Sequence, residues 1–332
     1  MKHFISFFVL TSLFICSCDE NNPVNFNCPD IEYPPSAYDS PIWHPSGNFI
    51  GFNYRPVNEI LSYSAPCYGG SSSYGSSDSA GFWLINSDGT NMNQIFQQLL
   101  KFPDWSPDGK WVAFVNNQHI FKMQFNGEAF DTTSIVQLTF EGWNTYPIWS
   151  PDGEWIAYDR GGAYSNRLSG IWIMRGDGSE NKRIFGAGMP DWHPDRSSLI
   201  GVIGINSMST LKRLVKYNLL QSTPIDTFSV KKDNNNLFPK YSPDGSKIGF
   251  WSQAQDGSSD LWIMNSNGDD LRQLKTGGAE VNQGQPFSWS LDGSNIVYTQ
   301  YDFRDWTYSN GTLKIVDVKT REKKQLTFNP PN

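Results

Sequence analysis

Charge is sparse in this sequence, and no stretch of it is basic. Charged residues make up 18% of the 332 positions, with 26 Lys and Arg against 33 Asp and Glu, for a formal net charge of -7. Neutralising nucleic-acid phosphates needs a basic face, so a nucleic-acid partner is excluded. The four cysteines are too few for a disulfide-dense scaffold. After residues 4–15 no apolar run reaches the roughly 20 residues that span a bilayer as a helix. No Gly-x-Ser-x-Gly elbow, phosphate-cradling glycine loop, dinucleotide fingerprint or His-Glu-x-x-His appears. The two histidines that sit in equivalent contexts, His44 and His193, fall far apart in the repeat described below, and His119 stands alone. No metal or cofactor is therefore expected.

What is abundant is aromatic and turn-forming: Trp 13, Tyr 14, Phe 22, Gly 29 and Pro 20. That mixture favours strands and tight turns over helices. The chain opens differently, with a short basic start and an apolar run over residues 4–15, which suits a signal-peptide core. The run ends in Ile15-Cys16-Ser17-Cys18, which resembles the bacterial lipobox. The resemblance implies removal of residues 1–17, acylation of Cys18, and a polar tether over 18–37 beginning Asp19-Glu20-Asn21-Asn22. Acidic residues there resemble the surface-export signal of some outer-membrane lipoproteins, or in enteric bacteria an inner-membrane retention signal. The location expected is the bacterial envelope, with the outer membrane or cell surface favoured over the periplasmic face of the inner membrane. Membrane contact is expected through the N-terminal lipid alone. An exported chain sits where disulfides persist, so Cys28 and Cys67 either pair or remain buried thiols; pairing is the expectation.

The body is a repeat. Six segments share one pattern: Pro41-Ile-Trp43-His-Pro-Ser-Gly47, Pro103-Asp-Trp105-Ser-Pro-Asp-Gly109, Pro147-Ile-Trp149-Ser-Pro-Asp-Gly153, Pro190-Asp-Trp192-His-Pro-Asp195, Pro239-Lys-Tyr241-Ser-Pro-Asp-Gly245 and Pro286-Phe-Ser-Trp289-Ser-Leu-Asp-Gly293. The aromatic anchors recur at intervals of 62, 44, 43, 49 and 48 residues. Periods in the forties suit a four-stranded propeller blade. In each unit Pro-x-Trp reads as a first strand whose indole fills the space between blades, worth at most about 5 kcal/mol. Ser-Pro-Asp-Gly reads as a hairpin turn with Gly left-handed. A second strand such as Trp111-Val-Ala-Phe114 follows, its small residue leaving room for a facing ring, then a third such as Ile171-Trp-Ile-Met174. An Asp-Gly or Asn-Gly turn leads to a last strand such as Gln137-Leu-Thr-Phe140. The expected fold is all-β: a six-bladed β-propeller of four-stranded antiparallel blades over 38–332.

Trp-Ser-Pro-Asp-Gly, an apolar strand, Ile-Trp-Ile-Met, an Asp-Gly turn and Gln-Leu-Thr together resemble the TolB-type propeller repeat, a relative of WD-type repeats. The resemblance covers nearly the whole chain after residue 37 and implies an envelope protein acting in binding. TolB carries an α/β domain ahead of its propeller, and only residues 19–37 separate Cys18 from the first blade, so a family relative other than TolB is expected. Blade four departs from the pattern: Arg196 replaces the turn Gly, and Lys212, Arg213 and Lys216 interrupt an apolar third strand.

Loops between second and third strands vary from blade to blade, while the hairpin turns on the opposite face are short and alike. The variable loops carry the candidate ligand-binding residues: Tyr54 and Arg55 in blade one, Asp159, Arg160, Tyr164 and Arg167 in blade three, and Tyr301, Phe303, Arg304 and Trp306 in blade six. Aromatic rings beside Arg and Asp on one rim form a recognition surface; their alternative is a cover over blade edges. The function expected is noncatalytic binding or scaffolding, with an envelope protein, peptide or glycan as partner. The second reading is a carbohydrate-active lyase or hydrolase at the channel mouth, for which Asp104 and Asp191 supply paired carboxylates. In the first reading these two only begin strands or solvate the channel.

Overall fold

A computed structural model describes residues 37–55, 59–61, 71–73, 79–161, 169–204, 211–220, 223–228, 230–276, 286–302 and 310–328. Six four-stranded antiparallel sheets follow one another along the chain and stand radially about an axis as a six-bladed β-propeller. The innermost strands are β1 (Ala37–Trp43), β7 (Lys101–Trp105), β11 (Trp143–Trp149), β15 (Gly188–Trp192), β19 (Asn235–Tyr241) and β23 (Ser288–Trp289). In each blade the next three strands in sequence lie successively outward, except in blade one. There a small hairpin, β3 (Glu59–Leu61) with β4 (Ser71–Ser73), is inserted between the second and third strands.

Burial between blades holds the ring together. Six apolar clusters form, and each draws its members from two neighbouring blades, closing with Tyr38 and Phe52 of blade one against Leu313 and Ile315 of blade six. Trp105, Trp149, Trp192, Tyr241 and Trp289 are all buried in these seams, as the repeat predicts. The small second-strand residues make that packing possible. A Cβ on Gly51 would stand 2.5 Å from the Phe82 ring, and one on Gly249 would stand 3.0 Å from Phe287.

The Ser-Pro-Asp-Gly turns are tied by more than backbone preference. Ser106 Oγ donates to Asp108 Oδ1 (2.6 Å) and accepts from the Trp111 amide (2.9 Å), while Asp108 also accepts from the Lys110 amide (3.0 Å). The same set recurs at Ser150, Ser242 and Ser290. The Gln-Leu-Thr motif is likewise structural: Thr139 and Thr327 accept from the amides of Ile120 and Leu313 (2.9 Å each), and Gln137 and Gln325 close over the Thr carbonyls (2.8 Å each).

Blade four forms in spite of its departures. Its third strand, β17 (Lys212–Asn218), buries Leu214, Val215 and Tyr217, and leaves Lys212, Arg213 and Lys216 only partly covered. Arg196 takes the left-handed φ of 63° that glycine holds elsewhere, and its guanidinium pairs with Asp152 of blade three. Blade six uses four consecutive strands and blade one four strands interrupted by the inserted hairpin, and the seam between them closes by packing and by hydrogen bonds such as Trp43 N–H to Ser288 Oγ (3.0 Å). The segment Cys28–Tyr33, a candidate extra strand for the last blade, lies outside the described residues.

Candidate functional site

The axis is built from the residues around each inner proline. Ser40, Phe102, Tyr146, Met189 and Phe238 each precede that proline and hold φ between 51° and 53°. Each sits where the ladder between first and second strands slips register. A bulky residue in this region costs about 1–3 kcal/mol, and surrounding structure must impose it. Here the bulges place side chains into the bore: the Phe102 and Tyr146 ring centroids are 4.1 Å apart and those of Tyr146 and Phe238 5.4 Å. Beside this collar remains a cavity of about 30 Å³, lined also by Ile42, Asp104, Ile148 and Lys240. That volume admits a water or two at about 10–15 Å³ each, and no substrate.

The waist alternates in chemistry. Asp104 Oδ2 accepts from the Trp149 amide (2.8 Å), Asp191 Oδ2 from the Tyr241 amide (2.7 Å), and Ser288 Oγ from the Trp43 amide (3.0 Å), so each even blade holds the next odd one by a side chain. In the other direction the Trp192 and Trp289 indoles donate to the carbonyls of Ile148 and Lys240 (3.3 Å each). Asp104 lines the narrow bore, Asp191 holds the equivalent place in blade four, and both are partly covered. Desolvation raises Asp104 to about 7 and Asp191 to about 6, against the pull of Lys240 and of the amides they accept from. Each joins its blade to the next through the amide it accepts, a contact that its place in the repeat does not reveal.

Of the rim residues expected to bind, Tyr54, Arg55, Asp159 and Arg160 are described, and each is built into the wall of its blade. Arg55 pairs with Asp39 at 3.2 Å, and Tyr54 packs on Tyr38 and Trp83 with centroids 4.9 and 5.7 Å away. Arg160 pairs with Glu141 at 3.1 Å and lies 4.5 Å over the Trp172 ring. Asp159 is raised to about 6, chiefly by burial, while the Met189 amide and Lys212 pull it down. Tyr146 nearby is pushed up to about 12, by burial first and then by the Asp159 charge. Asp159 and Arg160 share one rim sector; Tyr54 and Arg55 lie two blades away. Cys18, Cys28, Cys67, Tyr164, Arg167, Phe303, Arg304 and Trp306 lie outside the described residues, as does the side chain of Tyr301.

Two rim residues escaped the sequence reading. Phe140 and Trp143, on the crossing from blade two to blade three beside Glu141 and Arg160, are 74% and 54% exposed. Phe140 belongs to a Gln-Leu-Thr-Phe motif and reads as core. The signal available was that the motif's Leu and Thr already fill the buried positions. The opposite face holds a cleft of about 830 Å³ between blades two and three. Its charges are matched from within: Arg175 bridges Glu154 (3.1 Å) and Glu180 (3.2 Å), and Lys122 donates to the Gly176 carbonyl (2.7 Å). His44 stacks on Phe49 (4.2 Å) in the seam of blades one and two, its pKa lowered by burial; His193 bonds Asp195 (2.6 Å) beside blade five. Among the described residues no three His, Cys, Asp or Glu side chains gather to hold a metal ion.

This geometry defines a six-bladed propeller whose bore is narrowed by an aromatic collar and whose described rim is aromatic and charged. Solved structures share the fold at low sequence identity. TolB from Acinetobacter baumannii is 17% identical with a TM-score of 0.59, over 87% of this chain and 62% of its own, so the chain spans less than two thirds of that protein. An oligogalacturonate lyase from Vibrio parahaemolyticus is 13% identical with a TM-score of 0.54, covering 86% of this chain and 91% of its own. The propeller domain of the Trilobed protease from Pyrococcus furiosus, described as having an open velcro topology, is 13% identical with a TM-score of 0.51, over 90% of this chain and 98% of its own. No family model and no curated protein matches the chain. A lyase and the propeller domain of a protease thus stand beside TolB among these neighbours.

Proposed function

We propose that this protein is a noncatalytic envelope lipoprotein of the TolB-like propeller type, whose loop rim binds a protein, peptide or glycan partner. The observation that carries the reading is the exposed pair Phe140 and Trp143 beside the Arg160–Glu141 ion pair. Large exposed rings next to a fixed guanidinium suit a recognition surface, and the obstructed bore supports a role for the outer rim. Affinity capture from an envelope extract of the source bacterium tests it. A Phe140→Ser, Trp143→Ser variant should retain at most one tenth of the partner that the wild type retains. Equal retention would remove the rim from the account.

Anchoring through Cys18 belongs to the same proposal. More than one acyl chain, at about 0.8 kcal/mol per buried methylene, holds a protein stably on a membrane. Cys18→Ser should move the protein from the membrane fraction to the soluble fraction, and unchanged fractionation would contradict the anchor.

A second reading is favoured by one observation, the raised Asp159 beside Tyr146, which resembles a carboxyl able to carry a proton near neutral pH beside a phenol held neutral. A carbohydrate-active site would then lie on the rim of blade three. The Met189 amide and the closeness of Gly188, whose Cβ would stand 2.4 Å from Asp159 Oδ2, instead favour a structural duty for this carboxylate.

A further inference from the structure

Charge is distributed unevenly around the ring. Residues 181–240, which include all of blade four, hold nine Lys and Arg against four Asp and no Glu, a net +5 that leaves -12 for the rest of the chain. Part of this excess borders a second cleft, of about 710 Å³, between blades three and four on the face of the hairpin turns. Its walls are apolar: Ile173 and Tyr217 are buried, Ile184 and Leu219 are partly covered, and Leu220 at the lip is 85% exposed. On its other lip the outer strand of blade three, β14 (Lys182–Phe185), presents Lys182 and Arg183.

These two cations differ from those of the cleft between blades two and three. Among the described residues neither pairs with a carboxylate: Lys182 lies 5.0 Å over the Trp155 ring, and Arg183 Nε donates to the Ser169 carbonyl (3.0 Å). The carboxylate in the slot, Asp195, is held by His193 (2.6 Å) and the Ser197 amide (2.8 Å), and Arg196 is taken by Asp152. An apolar slot with unmatched positive charge on one lip selects an occupant that is both acidic and apolar. The indoles offer no platform for a sugar ring, because Trp155 is covered by Arg175 (4.1 Å) and Trp192 is buried.

We propose that the slot between blades three and four binds an extended acidic peptide segment, seating a large apolar side chain against Ile184, Leu219 and Leu220 and pairing its carboxylates with Lys182 and Arg183. This surface faces away from the loop rim, so it is a second docking site and stands or falls separately from the rim.

Fluorescence polarisation of the purified protein with a labelled peptide, Gly-Glu-Asp-Glu-Leu-Phe-Glu-Asp-Glu-Gly, tests the proposal. Saturable binding is expected, at least tenfold weaker for Lys182→Glu with Arg183→Glu and at least fivefold weaker for Leu220→Ser. Lys319→Glu with Lys323→Glu on blade six should leave it unchanged. All five side chains are solvent-facing, so folding is not at stake, and thermal melts verify this. Absence of saturable binding overturns the proposal. So does equal binding of a peptide with Lys at every acidic position, or of one with Ser-Ser in place of Leu-Phe. Phosphatidylglycerol vesicles supply the last arm: competition by vesicles, together with indifference of both ligands to Leu220→Ser, would make the patch a lipid-facing surface instead.

Discussion

Asp104 shows how a carboxylate in an apolar setting can serve architecture. It spans two blades by accepting one amide, and burial lifts it from an ordinary 3.8 to about 7. A raised carboxyl is easier to protonate in the folded state than in the unfolded one. Its contribution to stability is therefore fully present below the ordinary value and lost as pH rises from about 4 to about 7. Asp104→Asn keeps an oxygen for the Trp149 amide and never ionises. Thermal melts should show the variant more stable at pH 8, by about 9 °C, given about 1.4 kcal/mol per pKa unit and ~2 °C per kcal/mol. The gain should vanish near pH 4. A gain of the same size at both pH values would mean that ionisation of Asp104 is not what limits stability.

At the scale of the element, the turn and the outer-strand motif explain why the repeat is so plain in the sequence. Ser242 both donates to Asp244 (2.6 Å) and accepts from the Lys247 amide (2.9 Å), so Ser242→Ala leaves two groups without their partner. A loss of about 1–3 kcal/mol is expected, read as a lower urea midpoint with unchanged slope. A variant as stable as the wild type would show that the turn is held by backbone preference alone. Because the Ser-x-Asp turn recurs with the same hydrogen bonds in four blades, blade number, strand order and the buried tryptophans were legible from residues alone. The bulged positions before each inner proline were not. Phe102, Tyr146 and Phe238 look like ordinary strand aromatics until pairing shows the slip that turns them into the bore. The exposure of Phe140 was signalled only by the buried Leu and Thr of its motif, and that of Trp143 not at all, since an aromatic at a strand end reads equally as core. Arg55 and Arg160 were recognised as rim residues, but their partners Asp39 and Glu141 come from other strands and crossings, which spacing does not align.

In the whole molecule, six seams close a ring in which, among the described residues, each blade keeps its own four strands, and an aromatic collar narrows the axis. What blades two, three and four offer is surface: an aromatic rim on the loop side and the charged slot on the turn side. The low identity to TolB and to the lyase leaves the shared fold as their common ground, and the particular use of each propeller to its own loops. Hydrogen–deuterium exchange on the protein with its captured partner, compared with the protein alone, reads this distinction directly. Protection is predicted over 138–145 and 159–161, with the collar segments 102–104, 189–191 and 238–240 unchanged. Protection confined to those collar segments would place recognition in the bore and contradict the account.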